Sequence, residues 1–242
     1  MTSSRVETTL FLLMSVDGKI TSGESDDLDP DRDWKRIAGV KEGLHQYYEI
    51  QQTTDLHSMN TARVMAKLGV NTPSEDEPKP GSSKVSLILI DRKPHLTEQG
   101  IRNLILLRSL YIVTNNRKHP AFALTSEFAN LEVVYYPCEI DFPDLLKRLK
   151  QEYGIERVTI ESGGTLNSVL LRQGLIDHLS IVVAPLLVGG QSTPSLIGGP
   201  SLQTEVELVN LRALKLVECR MLEDSYIHLQ YDVINETIID PR

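Results

Sequence analysis

The amino-acid sequence predicts an α/β protein with a central, mostly parallel sheet that is flanked by helices and finished by an antiparallel hairpin. Apolar runs of strand length recur along the chain, and segments with helical spacing lie between them. Strands that alternate with helices form parallel sheets covered on both faces. The last two strand-like runs are separated only by a short turn, which indicates the hairpin.

The first strand is predicted at 8–16, where an apolar run ends at the turn-forming pair Asp17 and Gly18. Residues 22–33 are acidic and contain turn formers, so this segment is predicted to be a loop. Residues 39–52 carry apolar side chains at helical spacing and are predicted to contain a helix. This part of the chain therefore brings Asp17 to the carboxyl end of a buried strand.

A second helix is predicted from Thr61 to Leu68, because Gly69 after it is a good helix terminator. Residues 71–83 are rich in proline, serine and acidic residues, which is typical of an exposed loop. Neither side of this loop has the sequence of an independent domain. We therefore expect a single domain over residues 1–242.

The remainder of the chain alternates strands with helical segments. Further strands are predicted at 84–90, 109–114, 131–136 and 156–160. A helix is predicted at 141–154, since that segment begins with acidic residues and ends on glycine. An apolar strand at 179–190 precedes the closing pair, which is predicted at 213–222 and 225–234.

Composition disfavours several classes of function. The formal net charge of −8 argues against a nucleic-acid or anionic-membrane partner, because such partners need a basic face. The two cysteines lie in no Cys/His cluster, so neither a disulfide framework nor a metal site is indicated. No apolar stretch approaches the ~20 residues of a membrane span. We expect a soluble, cytoplasmic protein that acts on a small molecule.

A pair of glycines, Gly163 and Gly164, lies between the strand predicted at 156–160 and a helix that runs to Gly174. Such a turn presents backbone N–H groups and the positive end of a helix dipole at the carboxyl edge of a parallel sheet, where α/β folds bind ligands. Glycine there allows a phosphate to approach the backbone closely. The alternative is that a glycine only tightens the turn, since the pattern is neither a Walker loop nor GxGxxG.

Three stretches together resemble the reductase domain of the riboflavin-biosynthesis enzymes, a branch of the dihydrofolate-reductase-like fold. They are MSVDGKI at 14–20, ESGGTLNSVLLRQGLIDHLSIVVAPLLVGG at 161–190, and the closing antiparallel pair. The resemblance covers nearly the whole chain. It implies a reductase that uses NADPH to transfer hydride to a small heterocyclic substrate, such as a ribosylamino-pyrimidine.

The resemblance also implies which residues bind the cofactor. The residues against the pyrophosphate would be Gly163, Gly164, Thr165 and Leu166, and Glu161 and Ser162 before them would also bind the cofactor. Asn60 and Thr61, at a second helix start, would contact the cofactor from the opposite side. Residues at the adenosine ribose and its 2′-phosphate would be Thr114, Asn115, Asn116 and Arg117. An arginine there favours NADPH over NADH through a charge-assisted pair, although a solvated turn is the alternative.

A substitution expected to separate cofactor binding from folding is Gly164→Val. If a phosphate lies against this glycine, the valine should abolish cofactor binding and leave the fold intact.

On the substrate side the resemblance implies Ser15, Asp17, Lys19, Gly189 and Gly190. Asp17 is the catalytic candidate, because a carboxyl group there orients an amino or hydroxyl group of the substrate or supplies a proton during reduction. The alternative is that the Asp-Gly pair is an ordinary turn.

Residues 53–73 depart from the riboflavin reductases, which have there a glycine-containing turn and an Asp-Pro-x-Leu-x-x-Arg string that suits a substrate phosphate. Asn60 and Thr61 keep a polar turn, but the glycine and the string are missing. The zinc signature of the deaminases that accompany some of these reductases is also absent from the sequence. Two alternatives stay open: a reductase of another small carbonyl, imine or pteridine-like compound, and a non-catalytic nucleotide-binding or scaffold protein.

Relatives commonly pair through the C-terminal strands, and we expect a homodimer here. The alternating apolar residues of that surface would be Leu214, Leu216, Val217, Tyr226, Ile227 and Leu229. The same alternation also suits an ordinary core sheet.

Overall fold

The computed structural model describes residues 4–73 and 83–240, so most of the loop predicted at 71–83 lies outside the described residues. The chain forms two compact units. The first unit comprises the residues up to Val6 and Asp55–Ser162, and the second comprises Glu7–Thr54 and the residues from Gly163 onward. The single domain expected over 1–242 stays a prediction.

The described residues contain nine strands and seven α-helices. In chain order, strands β1 to β9 are Glu7–Ser15, His57–Thr61, Ser86–Ile90, Leu110–Thr114, Leu131–Tyr135, Arg157–Ile160, His178–Ala184, Ala213–Met221 and Ile227–Ile234. Helices α1 to α7 are Pro30–Asp33, His45–Gln51, Ala62–Lys67, Glu98–Leu107, Ala121–Leu124, Phe142–Gln151 and Gly164–Arg172. Three short 3-10 helices lie at Trp34–Arg36, Glu205–Asn210 and Glu223–Ser225.

The first unit is built on five parallel strands in the order β5-β4-β3-β2-β6. Strands β3 and β4 are almost continuously apolar because nearly all of their residues are buried, as expected of central parallel strands. Their side chains pack with those of α4 around Leu89, Ile101 and Ile112, which have no exposed surface. The prediction of a parallel sheet is confirmed.

The second unit is built on β1, β7, β9 and β8, in that order. Strand β1 pairs with β7 in parallel, and β9 pairs antiparallel with both β7 and β8. Phe11, Trp34 and Tyr226 are the largest fully buried side chains of its core. The predicted closing hairpin is confirmed.

The prediction of a loop at 22–33 is wrong at the C-terminal end of that segment. Asp29 accepts a hydrogen bond from the Asp31 N–H and Pro30 lies in the first turn, so Pro30–Asp33 forms one turn of α-helix. The helix predicted within 39–52 is shorter, because α2 begins only at His45.

The β8–β9 hairpin has one apolar and one polar face. On the apolar face Leu216 is paired with Tyr231 and Cys219 with Leu229, whereas Arg220 is paired with His228 on the other. All nine residues of β8 are exposed. Tyr226 does not belong to this surface as predicted, because its ring is buried and its hydroxyl donates to the Val40 carbonyl at 2.7 Å.

Candidate functional site

The turn after β1 is organised by the carboxylate of Asp17. The hydroxyl of Ser15, a side chain with no exposed surface, donates to Asp17 Oδ1 at 2.6 Å. The N–H groups of Val188 and Gly189 donate to the same carboxylate at 3.1 and 2.6 Å. Because β1 and β7 are parallel neighbours, both loops leave the sheet at its carboxyl edge and meet here.

These hydrogen bonds keep Asp17 ionised. The Ser15 hydroxyl, followed by the amides of Val188 and Gly189, lowers the pKa of Asp17 from 3.8 to about 2. A carboxyl group with that pKa is ionised at neutral pH, so it accepts hydrogen bonds. Its two predicted roles, orienting an amino or hydroxyl group of the substrate and supplying a proton during reduction, stay predictions.

The stability that Asp17 contributes is expected to be lost in acid. Its pKa is lowered on folding, so its contribution is present above pH ~4 and disappears as pH falls through ~2, where the folded protein also binds the proton. Carbon NMR titration of the Asp17 carboxyl should give a midpoint near the lowered value. The difference in unfolding free energy between wild type and Asp17→Asn should shrink over that pH range, and a titration midpoint near 3.8 would contradict the assignment.

Lys19 also connects the turn after β1 to the loop after β7. Its Nζ donates to the carbonyls of Gly190 and Thr193 at 2.8 and 3.0 Å. Gly189 and Gly190 have φ values of +73° and +82°, which favour glycine. The structure therefore brings all five predicted substrate-side residues into one network, in which Ser15 acts through Asp17.

Residues 194–200, here called the strap, run beside this turn. The Ile20 N–H donates to the Pro194 carbonyl, and the Leu196 N–H donates to the Gly18 carbonyl, both at 3.0 Å. Lys19 and Ser195 also form an antiparallel β-bridge. The strap is therefore fixed to the Asp17 turn by backbone hydrogen bonds.

The strap is also fixed to the start of α7. The Gly198 N–H donates to the Gly164 carbonyl at 2.9 Å, and Asn167 Nδ2 donates to the Leu196 carbonyl at 2.8 Å. Asn167 has no exposed surface, so this hydrogen bond is shielded from water. A single segment thus connects the Asp17 turn to the first turns of α7.

The close approach at the glycine pair comes from the strap. A Cβ on Gly164 would overlap the carbonyl oxygen of Ser195 and lie 3.0 Å from the Gly198 nitrogen, whereas a Cβ on Gly163 meets nothing within 4 Å. The expectation that Gly164→Val leaves the fold intact is therefore wrong, because the side chain would displace backbone. The backbone N–H groups of Gly164 and Thr165 lie in the first turn of α7 and have no acceptor within the helix, so their predicted role at a phosphate stays open.

An open, apolar cleft of about 500 Å³ lies at the carboxyl edge of β1 and β7. It is lined by Val16, Ile37–Val40 and Pro185–Leu187. Val16 and Leu187 are 61% and 73% exposed, which is unusual for side chains of this type gathered at one place. The cleft begins one residue before Asp17 and offers an apolar surface to a flat ring.

In the first unit, Asn60 and Thr61 are the last residues of β2, and α3 begins directly after them. Asn60 is buried, and its Oδ1 accepts from the Thr61 N–H at 2.7 Å. Glu161 accepts a short hydrogen bond from the Ser58 hydroxyl, and Ser162 is buried after β6. These predicted cofactor residues lie at the carboxyl ends of the neighbouring parallel strands β2 and β6.

The predicted adenosine residues form a compact turn after β4. Thr114 is fully buried, donates to the Asp91 carbonyl at 2.7 Å and accepts from the Asn116 N–H at 3.1 Å. Arg117 is exposed, and its Nε donates to the Tyr135 hydroxyl at 2.8 Å. Asn115 is half-buried between them.

Sequence reasoning missed the buried Asp91 at the end of β3. Its carboxylate has no exposed surface and lies 3.0 Å from both His119 Nε2 and His95 Nδ1. It also accepts from the N–H groups of His95 and Leu96 at 3.1 and 3.2 Å. Burial raises the pKa of Asp91, but these hydrogen bonds, led by that of His119, outweigh it and lower the pKa.

The tautomer of His119 follows from its second contact. The Ala121 N–H donates to His119 Nδ1 at 3.1 Å, so Nε2 carries the proton and donates it to Asp91. Asp91 could have been found from its position, because it is an acidic residue that follows an apolar strand, as Asp17 does.

Over residues 4–73 and 83–240, no group of three or more His, Cys, Asp or Glu side chains is arranged to hold a metal ion. No helix within the same ranges combines the length and apolar character of a membrane span.

Comparison with known proteins identifies similar sequences and folds. The family model described as the RibD C-terminal domain matches residues 7–224. The 2,5-diamino-6-ribosylamino-4(3H)-pyrimidinone 5′-phosphate reductase of Methanothermobacter thermautotrophicus is 24% identical over 211 residues, which cover 82% of this chain and 86% of that protein.

Two solved structures have a similar fold. RibD of Acinetobacter baumannii aligns with a TM-score of 0.63 at 20% identity, over 96% of this chain and 59% of that chain. The riboflavin biosynthesis reductase Rib7 of Saccharomyces cerevisiae aligns with a TM-score of 0.58 at 16% identity, over 96% and 92%. The fold expected from the resemblance is confirmed.

Proposed function

Since the chain belongs to the RibD C-terminal domain family, which matches it over residues 7–224, we propose that it is an NADPH-dependent reductase of a ribosylamino-pyrimidine in riboflavin synthesis. The match over most of the chain is the observation that carries this proposal. When bound, the reduced dinucleotide supplies the hydride, and the protein provides binding and orientation.

Features of the second unit support the binding of a pyrophosphate and of the substrate. The N–H groups at the start of α7 suit a pyrophosphate, because they lack acceptors within the helix and lie at the positive end of its dipole. The apolar cleft suits a flat heterocycle. The ionised Asp17 at its edge accepts hydrogen bonds, which suits an amino or hydroxyl group of the substrate.

The first unit supports the choice of NADPH. Arg117 follows β4 at the carboxyl edge of the parallel strands and is exposed to solvent. A guanidinium group in that place forms charge-assisted hydrogen bonds with a 2′-phosphate, which NADH lacks. Asn60 and Thr61 lie at the same edge, at the end of β2, and we propose that they contact the cofactor. Thr114 has no exposed surface, so it does not contact the cofactor as predicted and instead fixes the turn that precedes Arg117.

Titration of the purified protein with NADPH and, separately, NADH tests the proposal. We expect a change in nicotinamide fluorescence with micromolar affinity for NADPH. Binding should be weaker in Gly163→Val, since that side chain enters open space next to the first turn of α7, where we propose that the pyrophosphate binds. Oxidation of NADPH by the ribosylamino-pyrimidine phosphate is then followed by absorbance. A folded wild-type protein that binds neither nucleotide would contradict the proposal.

A nucleotide-binding protein without catalysis is the second candidate. None of the residues that line the apolar cleft, Val16, Ile37–Val40 and Pro185–Leu187, has a titratable side chain. The cleft itself therefore supplies no proton, and a proton would have to come from water or substrate. Tight NADPH binding with no turnover of the pyrimidine, or of other carbonyl or imine compounds, would favour this candidate.

We also propose that the protein forms a homodimer through the apolar face of the β8–β9 hairpin. On this face Leu214 and Leu216 are 43% and 53% exposed, and Met221 is 86% exposed. An apolar sheet face at an edge strand is a favourable surface for a second copy.

Leu216→Asp is expected to convert the dimer to a monomer, because it buries a charge against an apolar surface. Light scattering after gel filtration should show the measured mass fall to half. Leu106→Asp is the matched control, since Leu106 is 40% exposed on α4 and should leave the mass unchanged. Equal masses for wild type and Leu216→Asp would argue against this surface.

A further inference from the structure

Half of the residues that line the apolar cleft belong to one short segment, Ile37–Val40, here called the cleft segment. It lies between the 3-10 helix at Trp34–Arg36 and α2. The other lining residues, Val16 and Pro185–Leu187, directly follow β1 and β7 and are therefore held by the sheet. The shape of the cleft thus depends on the contacts that hold the cleft segment in place.

Tyr226 holds the cleft segment from the β8–β9 hairpin. Its side chain has no exposed surface, and its hydroxyl donates to the Val40 carbonyl at 2.7 Å. Val40 is 3% exposed and packs in the same core as the Tyr226 ring. Because this hydrogen bond is buried, the Val40 carbonyl could not replace the lost donor with water at no cost.

The Tyr226 ring also determines where the chain runs after the cleft segment. A Cβ on Gly43 would lie 2.7 Å from Cδ2 and 2.9 Å from Cε2 of that ring. Glycine allows the backbone to pass this close to the ring. Tyr226 therefore contacts this part of the chain at two places, through its hydroxyl at Val40 and through its ring at Gly43.

The hairpin turn that carries Tyr226 is itself held by a second contact. The buried Gln46 side chain donates from Nε2 to the Glu223 carbonyl at 3.1 Å and accepts from the Glu223 N–H at 2.9 Å. The next two residues, Asp224 and Ser225, have φ values of +52° and +65°, which favour glycine. Other residues keep such a conformation where surrounding contacts impose it. The turn, and Tyr226 with it, is therefore held in one position.

We propose that Tyr226 is a positioning residue for the substrate, because its hydroxyl holds the cleft segment where that segment can pack against the heterocycle. The inference rests on the proposed function and assigns part of substrate binding to a residue outside the cleft. Packing against a flat ring stabilises the bound substrate and the transition state alike. Loss of the hydroxyl therefore raises KM and leaves kcat nearly unchanged.

Steady-state kinetics of Tyr226→Phe at saturating NADPH test this role. We expect the KM for the ribosylamino-pyrimidine phosphate to rise about fivefold, and kcat and the Kd for NADPH to change by less than about twofold. Tyr136→Phe is the matched control, since Tyr136 is 8% exposed and its hydroxyl donates to Asp144 Oδ2 at 2.9 Å in the first unit. Both variants lose one hydrogen bond of a buried tyrosine, but the KM should rise only in Tyr226→Phe.

Trp34 provides a second readout that does not depend on turnover. It is the single tryptophan of the sequence, has no exposed surface, and packs in the same core as Val40 and Tyr226. Its carbonyl accepts from the N–H of Ile37, the first residue of the cleft segment, at 3.2 Å. We expect acrylamide to quench Trp34 fluorescence about twofold more strongly in Tyr226→Phe than in wild type or Tyr136→Phe, with circular dichroism confirming the fold.

The outcomes separate this inference from the proposed function. If wild type reduces the pyrimidine and Tyr226→Phe keeps the wild-type KM, the positioning role is wrong and the reductase proposal stands. If folded wild type turns over no pyrimidine, the reductase proposal falls, and the quenching alone decides whether Tyr226 holds the cleft segment. Gln46→Met removes the contacts to Glu223 and should raise the KM in the same direction, so it decides the test if Tyr226→Phe does not fold.

Discussion

Gly164→Val is expected to lower the free energy of unfolding by about 3 kcal/mol or more. The added Cβ would overlap the Ser195 carbonyl and lie 3.0 Å from the Gly198 nitrogen, and both are backbone atoms that cannot rotate away. Relief requires the strap to move, which breaks the Gly198–Gly164 hydrogen bond and exposes the amide of Asn167. Urea denaturation followed by circular dichroism measures the loss.

Gly163→Val is the matched control for this substitution. A Cβ there meets nothing within 4 Å, and its φ of −72° suits any residue. Its unfolding free energy should stay within about 1 kcal/mol of wild type. Equal stabilities of the two variants would show that the strap does not pack on Gly164.

Asp91→Ala is expected to destabilise the protein by about 4 kcal/mol. The substitution removes the acceptor for His119 Nε2 and for two backbone N–H groups, and leaves these donors in a site with no exposed surface at Asp91 or His119. Buried donors without an acceptor keep their full desolvation cost. Thermal and urea unfolding give the change.

His95→Ala provides the comparison for Asp91. The His95 side chain is 38% exposed, and its loss removes one hydrogen bond to Asp91 while the backbone contacts remain, so about 1 kcal/mol is expected. A double-mutant cycle between Asp91 and His119 should show a coupling energy of about 1 kcal/mol or more. Similar costs for Asp91→Ala and His95→Ala would argue against the central role of the carboxylate.

The strands could be predicted from the sequence because apolar runs of strand length are a strong local signal. Strands β3 to β6 and the β8–β9 hairpin lie where they were predicted. Helix α4 was not predicted, although Thr97 caps it and its apolar residues lie on one face. Helix α1 was missed because it is a single capped turn, and the acidic, turn-forming residues around it indicate a loop.

The site could be predicted only in part. The resemblance to the riboflavin reductases is confirmed, and the predicted substrate-side residues meet in one network. The packing at Gly164 could not be foreseen, because the strap that covers it comes only after α7 and β7 in the chain. Asp91 was missed for a similar reason, since its partner His119 is distant in sequence.

The strap also limits how this protein can be redesigned. Residues 194–200 are hydrogen-bonded both to the Asp17 turn and to α7, so the three segments form one structural unit. A chimera that takes the Asp17 turn from a relative and keeps the native strap must re-form two backbone hydrogen bonds, from Ile20 to Pro194 and from Leu196 to Gly18. Loop exchange aimed at a new substrate should therefore move all three segments together.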